Sequence, residues 1–426
     1  LPRRLFPYFI GFLLDSMATG LILPILPFYV MQLGANALQL SLVISVNYVA
    51  QMFGCIAMGK ISDLYGRRTA FLLCLTASAL SYFSVSYASN ILLVVLARLI
   101  TGICGGLVPI MQSTVADTAN AEDRPKYLGR ITATFGLGFV LGPVLSTVLP
   151  TNMTPKGKMQ VAACLSLLGL VIAALSAKET KAVVRPLLAP SHSTARKELV
   201  TPDNSTETVE DSTISTTSTT NSKYATLPQS TVPLNSEVIF LVLNAFLIMY
   251  AFGTETIYAV FIKDTFGYSE AALSGIFAVN GFLTGIFQIF CIKPLIGILG
   301  MHFTLALGNI LLGIGMLGLG FVREKIPHFL LFACHILGFT IADTALVSLI
   351  SRYSAPVSQG RDLALCQAAN SCARIFSPLI AGLLYERSRE LARTGTAVLP
   401  FGALPFLVGG LCPLLGLMIP ALLHAR

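Results

Sequence analysis

Asp15, Arg98, Glu255, Asp343 and Arg374 each interrupt a long run of apolar residues. An ionisable group inside such a run is costly, so it is kept for what its charge does. A carboxylate there can take up and release a proton. A guanidinium can hold an anion or act on the charge of a neighbouring acid. A second set is clustered rather than scattered. The stretch GKISDLYGRRTA, residues 59–70, places Lys60, Asp63, Arg67 and Arg68 between two apolar runs. Acids and bases at helix ends can make contacts that form and break as helices move. The plainer reading is that the bases fix which side of a membrane the loop occupies.

These residues need elements to hold them, and composition says which kind. The chain has 426 residues, 54% hydrophobic and 11% charged, with mean hydropathy +0.77. A soluble domain carries about a quarter charged residues. A chain this short of charge cannot cover itself in water, but can span lipid, where only its ends and an interior path need polarity. The net charge of +8 does not point to nucleic acid, because the bases fall in loops and form no basic stripe. The nine cysteines all lie in apolar runs without zinc-ligand spacing, so they read as packing residues. The chain begins with Leu, which leaves room for a trimmed N-terminus. With no Trp, anchoring at the membrane surface would fall to tyrosines such as Tyr8, Tyr29 and Tyr268.

Runs of about 20 apolar residues read as spanning helices, since a bilayer core is about 30 Å thick. Six precede residue 178, at about 5–31, 39–60, 69–88, 91–115, 127–150 and 159–177. Six follow, at about 237–262, 271–293, 301–321, 327–350, 363–387 and 398–423. The Ser/Thr-rich stretch between them cannot bury enough apolar surface to offset its ordering entropy, so 178–236 reads as a disordered linker. The expected fold is an all-α membrane protein, twelve transmembrane helices in two six-helix bundles, 1–177 and 237–426. In the first bundle Arg3, Arg4, Lys60, Arg67, Arg68, Arg124, Lys126 and Arg130 fall on one side, and Lys156 and Lys158 on the other. That puts both termini and the linker in the cytoplasm. Lys263, Arg323, Lys325, Arg387, Arg389 and Arg393 of the second bundle run against that bias.

Gly59, Asp63, Gly66, Arg67 and Arg68 fit the pattern G-x-x-x-D-x-x-G-R-[RK] between the second and third spans. In that place the pattern resembles the loop signature of the major facilitator superfamily. LLDSMATGLILPILP, with Asp15, Pro24 and Pro27, resembles the first helix of its twelve-helix drug/proton antiporters, particularly the tetracycline-efflux type. LARLITGICGG places Arg98 and Gly102 as that branch does, and GLGFVLGPVLS matches its helix 5 signature at Gly138, Gly142 and Pro143. Ser146 stands where the branch usually has Gly. VADTANAEDRPKYLGR, with Asp117, is similar to its helix 4–5 loop, and CQAANSCARIFSPLIAGLLYE, with Arg374, Pro378 and Gly382, to helix 11 of eukaryotic relatives. The equivalent loop of the second half, CIKPLIGILGMH, is degenerate.

The resemblance implies a secondary transporter working by alternating access, most specifically proton-coupled efflux of a small organic molecule. Alternatives are a facilitator or proton symporter for a metabolite, or a non-transporting membrane scaffold that uses the linker for partners. It implies a cytoplasmic latch, Asp63 facing helix 11 and Asp117 available to Arg67 or Arg68. Asp15, about ten residues into its helix and so roughly 15 Å deep, is the leading proton or substrate site, with Arg98 and Glu255 beside it. A structural partner for nearby hydroxyls is the other reading of Asp15. Asp343 and Arg374 are expected to pair structurally. His335 reads as a packed core residue, and Phe246, Tyr250, Phe252 and Tyr258 as packing or lipid-facing. Gly138, Gly142 and Pro143 allow close helix approach and bending. No P-loop, G-x-S-x-G or H-E-x-x-H occurs, so nothing points to an enzyme. The expected partners are a small organic substrate, protons and the bilayer, with a monomer, no cofactor and no metal.

Overall fold

The computed structural model describes residues 4–119, 123–150, 153–180, 235–354, 359–396 and 398–425. Residues 181–234, almost all of the expected linker, lie outside the described residues. Twelve spanning helices make up the described chain. The first bundle contains α1 (Phe6–Gln32), α2 (Ala37–Tyr65), α3 (Arg67–Ser86), α4 (Ile91–Ile103) with α5 (Leu107–Thr118), α6 (Arg124–Val148) and α7 (Pro155–Ser176). The second contains α8 (Ser236–Gly253) with α9 (Tyr258–Phe266), α10 (Glu270–Phe290), the short α11 (Ile292–Leu299), α12 (Met301–Phe321), α13 (Lys325–Tyr353), α14 (Gln359–Arg393), and α15 (Ala403–Leu415) with α16 (Met418–Ala425).

Local sequence explains the ends and breaks. Asn36 opens α2 with a full capping box to Gln39. Gly66 alone turns α2 into α3, at φ 98, a conformation that a side chain resists. The fourth span is not continuous as the sequence suggested. Cys104, Gly105 and Gly106 break it, because two successive glycines weaken helix propensity. The seventh span is interrupted by a 3₁₀ turn, Thr254–Ile257, that carries Glu255. The eighth ends at Phe290, and the degenerate loop folds as the separate α11, in which no residue is buried. Among the described residues, eleven helices are apolar and long enough to cross a membrane by hydropathy. The twelfth is α14, whose Gln367, Asn370 and Arg374 dilute its apolar character across 35 residues. Leu92, Leu96, Ile100 and Ile103 leave one exposed apolar stripe on α4, as a lipid-facing helix requires. Tyr8 and Tyr29 are not surface anchors. Both are buried, their hydroxyls donating to backbone carbonyls of Lys178 and Ala88.

The helices alternate in direction, which defines a near face, holding the start of α1 and the 59–68 turn, and a far face opposite. The buried core is divided unequally between them. On the near side one cluster joins only first-bundle residues, among them Leu5, Phe12, Phe71 and Met111. A separate one joins only second-bundle residues, such as Leu241, Leu305 and Leu346. On the far side a single large cluster unites both, from Leu21 and Tyr29 to Tyr258, Phe261 and Tyr385. The bundles are therefore joined at the far face and divided at the near face.

Candidate functional site

The 59–68 cluster folds into a bonded unit. Arg67 is buried and its guanidinium is held by three bonds: Nε donates to Asp117 Oδ2 at 2.7 Å, and Nη1 to Ser62 Oγ at 2.9 Å and Asp63 Oδ1 at 3.0 Å. Arg68 Nη2 donates to the Ala174 carbonyl at 2.6 Å, satisfying one of the acceptors that the end of α7 leaves free. Glu179 caps α3, its two oxygens accepting from the N–H groups of Arg67 and Arg68 at 2.8 and 3.0 Å. A Cβ at residue 66 would stand 2.3 Å from that carboxylate, a second reason for Gly66. All these partners belong to the first bundle or the residues just after it. A Cβ on Gly59 would meet nothing within 4 Å.

The far face is where the bundles touch, through α2 on α14 and α6 on α10. The Ala37 N–H donates to Glu386 Oε1 at 2.9 Å, and Gly382 lies directly against Ser41. Ser146, the departure from the helix 5 pattern, donates to Ser274 Oγ at 3.0 Å across the same interface. Beside it Lys158 Nζ and Glu270 Oε1 form an ion pair at 2.5 Å with side chains only 5% and 12% exposed. The other two helix 5 positions do different work. A Cβ on Gly138 would lie 2.4 Å from Ser16, and one on Gly142 2.4 Å from the backbone of Leu21, so both glycines let α6 press onto α1. Pro143 follows inside α6.

The ionisable groups within the spans separate into two environments. Asp15 is enclosed in the first bundle, where Ser166 Oγ of α7 donates to Oδ1 at 2.7 Å and Ser78 of α3 also bonds the carboxylate. Burial in apolar surroundings is offset by these donors. Among the described residues the others are far less satisfied. Glu255 Oε2, in the turn between α8 and α9, is buried and accepts no hydrogen bond, and stands 3.8 Å from His335 Nε2 of α13. His335 is wholly buried, with neither ring nitrogen hydrogen-bonded, and Phe252 stacks on it. Arg98 Nε is likewise buried without a partner. Arg374 reaches across to the first bundle, its guanidinium carbon 5.9 Å from the centre of the Tyr48 ring. Asp343 and Arg374 do not form the expected pair. No hydrogen bond or ion pair closes between them, since Arg374 is turned toward Tyr48, although it stays within electrostatic reach of Asp343.

Two bundles, joined at one face and lined with unsatisfied charge in the middle, suit a carrier. The sequence profile of the Major Facilitator Superfamily matches residues 8–290 and, a second time, 240–425. The chain belongs to the Major Facilitator Superfamily. Its fold and family are those of membrane transporters and not of enzymes. The chain is 27% identical to the tetracycline resistance protein, class B, of Escherichia coli over 382 residues, 88% of this chain and 87% of that one. It is 21% identical to the quinolone resistance protein NorA of Staphylococcus aureus (strain COL) over 388 residues, 90% of each. Among solved structures, the human organic anion transporter MFSD10 (TETRAN) superposes with a TM-score of 0.61 at 20% identity, covering 99% of this chain and 100% of that one. A D-xylose-proton symporter superposes with a TM-score of 0.69 at 14% identity, covering 97% and 96%. At such identities these two speak for the fold alone. The superfamily transporter is thus captured with its bundles closed at the far face.

Sequence reasoning passed over three residues that the fold makes prominent. His335 looked like packing because a lone imidazole in an apolar run has no local partner; its partner is 80 positions away. Lys158 read as a loop base, and Glu270 was not singled out. The available signal was that Lys158 broke the distribution of bases in the first bundle.

Proposed function

We propose that this transporter is a proton-coupled antiporter that expels small organic molecules by alternating access. The reading of efflux rests on relatives whose names are tetracycline and quinolone resistance proteins. The near face is cytoplasmic, following the bias of first-bundle bases in short loops, so both termini and the 178–236 linker lie in the cytoplasm. The 1–177 and 237–426 bundles then rock about a central site, and the transporter acts as a monomer.

The proton site is Glu255 with His335. This assignment is carried by one observation: a buried carboxylate oxygen of Glu255, in the turn between α8 and α9, and the buried imidazole of His335 on α13 stand 3.8 Å apart, neither with a hydrogen-bond partner among the described residues. Such a pair can hold one proton between its members and give it up when the surroundings change. Its turn packs on α2 and α14, the helices that part when the far face opens. Asp15 serves instead as a polar anchor of the first bundle, because its carboxylate is already occupied by hydroxyl donors. The cluster of Asp63, Arg67, Arg68 and Asp117 preorganises the near-face latch, and Gly59 leaves room for the second bundle to dock there. The test is transport into proteoliposomes of purified protein with and without a pH gradient. Uptake driven by an acid-inside gradient supports antiport, and uptake that needs an acid exterior or is indifferent to the gradient refutes it.

A further inference from the structure

The seventh span breaks at Thr254–Ile257, a turn that contains neither Gly nor Pro. What it does contain is a backbone carbonyl claimed by another helix. Ser377 Oγ of α14, wholly buried, donates to the Tyr250 carbonyl at 2.6 Å. The Thr254 hydroxyl lies 3.1 Å from the same carbonyl and 3.2 Å from Ser377 Oγ. A carbonyl has two lone pairs. With two hydroxyls drawn to it, the Thr254 N–H is shared among the carbonyls of Tyr250, Ala251 and Phe252. A side chain inserted into the ladder in this way breaks an α-helix, and the chain runs on as a 3₁₀ turn. Gly253 lets α14 come this close, because a Cβ there would stand 2.8 Å from Ser377 Oγ. The consequence falls on Glu255. A 3₁₀ turn advances about 120° per residue and an α-helix about 100°, so a turn of this length rotates α9 against α8 by roughly 80° and adds about 2 Å to the span. Glu255 sits inside that turn, 3.8 Å from His335 of α13.

We propose that Ser377 is the positioning residue of the proton site, its hydroxyl holding the turn that aims Glu255 at His335. The inference rests on the assignment of that pair as the proton site, and Ser377 acts on it through the backbone. The same α14 meets α2 of the first bundle at the far face, through Gly382 against Ser41 and Glu386 on the Ala37 N–H. A shift of α14 as the far face parts is therefore carried along one helix to the turn. The titratable groups facing Glu255 are His335 of α13 and Tyr258 of α9. Of the other elements packed on the turn, α15 carries no charge, α8 only Glu237 in its first turn, α2 none before Lys60, and α14 has Arg374 one turn before Ser377.

The experiment records the Tm of the purified full-length protein in detergent between about pH 4 and 9, with no substrate present. A proton bound unequally by the folded and unfolded states makes stability depend on pH, so subtracting the curve of Glu255→Gln leaves the titration of the Glu255–His335 pair. The same subtraction is made in the Ser377→Ala and Gly253→Ala backgrounds, the second displacing Ser377 Oγ with a methyl group. In both, the step is expected to move by at least about one pH unit, a tenfold change in proton affinity, or to vanish. Thr254→Ser, which keeps its hydroxyl, should hold the parent midpoint. A role in packing alone would lower each curve evenly and leave the midpoint in place. A step at the parent pH in Ser377→Ala and Gly253→Ala, or an equal shift in Thr254→Ser, overturns the positioning role. Absence of any step between the parent and Glu255→Gln removes the proton site itself, so the two failures are told apart.

Discussion

Lys158→Met should unlock the far face. Lys158 and Glu270 join α7 of one bundle to α10 of the other, and their side chains are 5% and 12% exposed, so solvent screens them little. Removing one partner of a buried pair costs about 3–5 kcal/mol, because the other charge stays desolvated. When the bundles part at this face, Glu270 returns to water and that cost disappears. The equilibrium therefore moves toward the far-open state by roughly a hundred- to several-thousand-fold. Replacing both partners by Met should leave the equilibrium near its starting point, since an apolar pair of similar volume is about as stable. The assay is modification of a single cysteine at position 146 in a cysteine-free background by a membrane-impermeant maleimide added at the far face. Ser146 is 1% exposed, so the reagent reaches this position only when the face opens. The labelling rate should rise roughly a hundred-fold in Lys158→Met and fall back in the double variant. An unchanged rate in the folded single variant, or a double variant as fast as the single, refutes the gate.

Two motif glycines, one from helix 5 and one from the 59–68 loop signature, should respond oppositely. Gly142→Ala places a Cβ 2.4 Å from the Leu21 backbone and should lower the Tm of the solubilised protein, reflecting overpacking of about 1–3 kcal/mol. Gly59→Ala meets nothing in this state and should raise Tm slightly through helix propensity, whereas Gly59→Leu should slow transport by blocking near-face closure. Asp15→Asn should lower Tm and reduce gradient-driven transport and substrate exchange together, because it disturbs bonds to Ser166 and Ser78 and not the proton site. Loss of gradient-driven transport alone would return Asp15 to the coupling mechanism.

Most of the architecture was legible because a membrane makes local sequence decisive. Each span must satisfy its own backbone, so an apolar run of sufficient length announces a helix without reference to its neighbours. The exceptions have particular causes. Gly105 and Gly106 break the fourth span, but glycines are frequent in membrane helices and do not announce a break by themselves. The turn at Glu255 contains no helix-breaking residue, and is held by Thr254 and Ser377, which meet only in the fold. Partners were less legible than elements. Asp63 was read as facing helix 11, yet it pairs with Arg67, four residues on across the Gly66 turn. Arg374 was assigned to Asp343 because both are in the second half, yet its guanidinium lies near Tyr48, on a helix of the first. His335 and Glu255, and likewise Lys158 and Glu270, become pairs only when helices from different parts of the chain are brought together.

The most direct test of the coupling claim compares two fluxes in one variant. Glu255→Gln is reconstituted into proteoliposomes, and uptake of radiolabelled norfloxacin is measured under a pH gradient and, separately, as exchange against unlabelled norfloxacin at equal pH. The account predicts that gradient-driven uptake falls to the level of empty liposomes while exchange remains measurable, with His335→Asn weakening the gradient response in the same direction. Gradient-driven uptake in Glu255→Gln equal to that of the parent would contradict it.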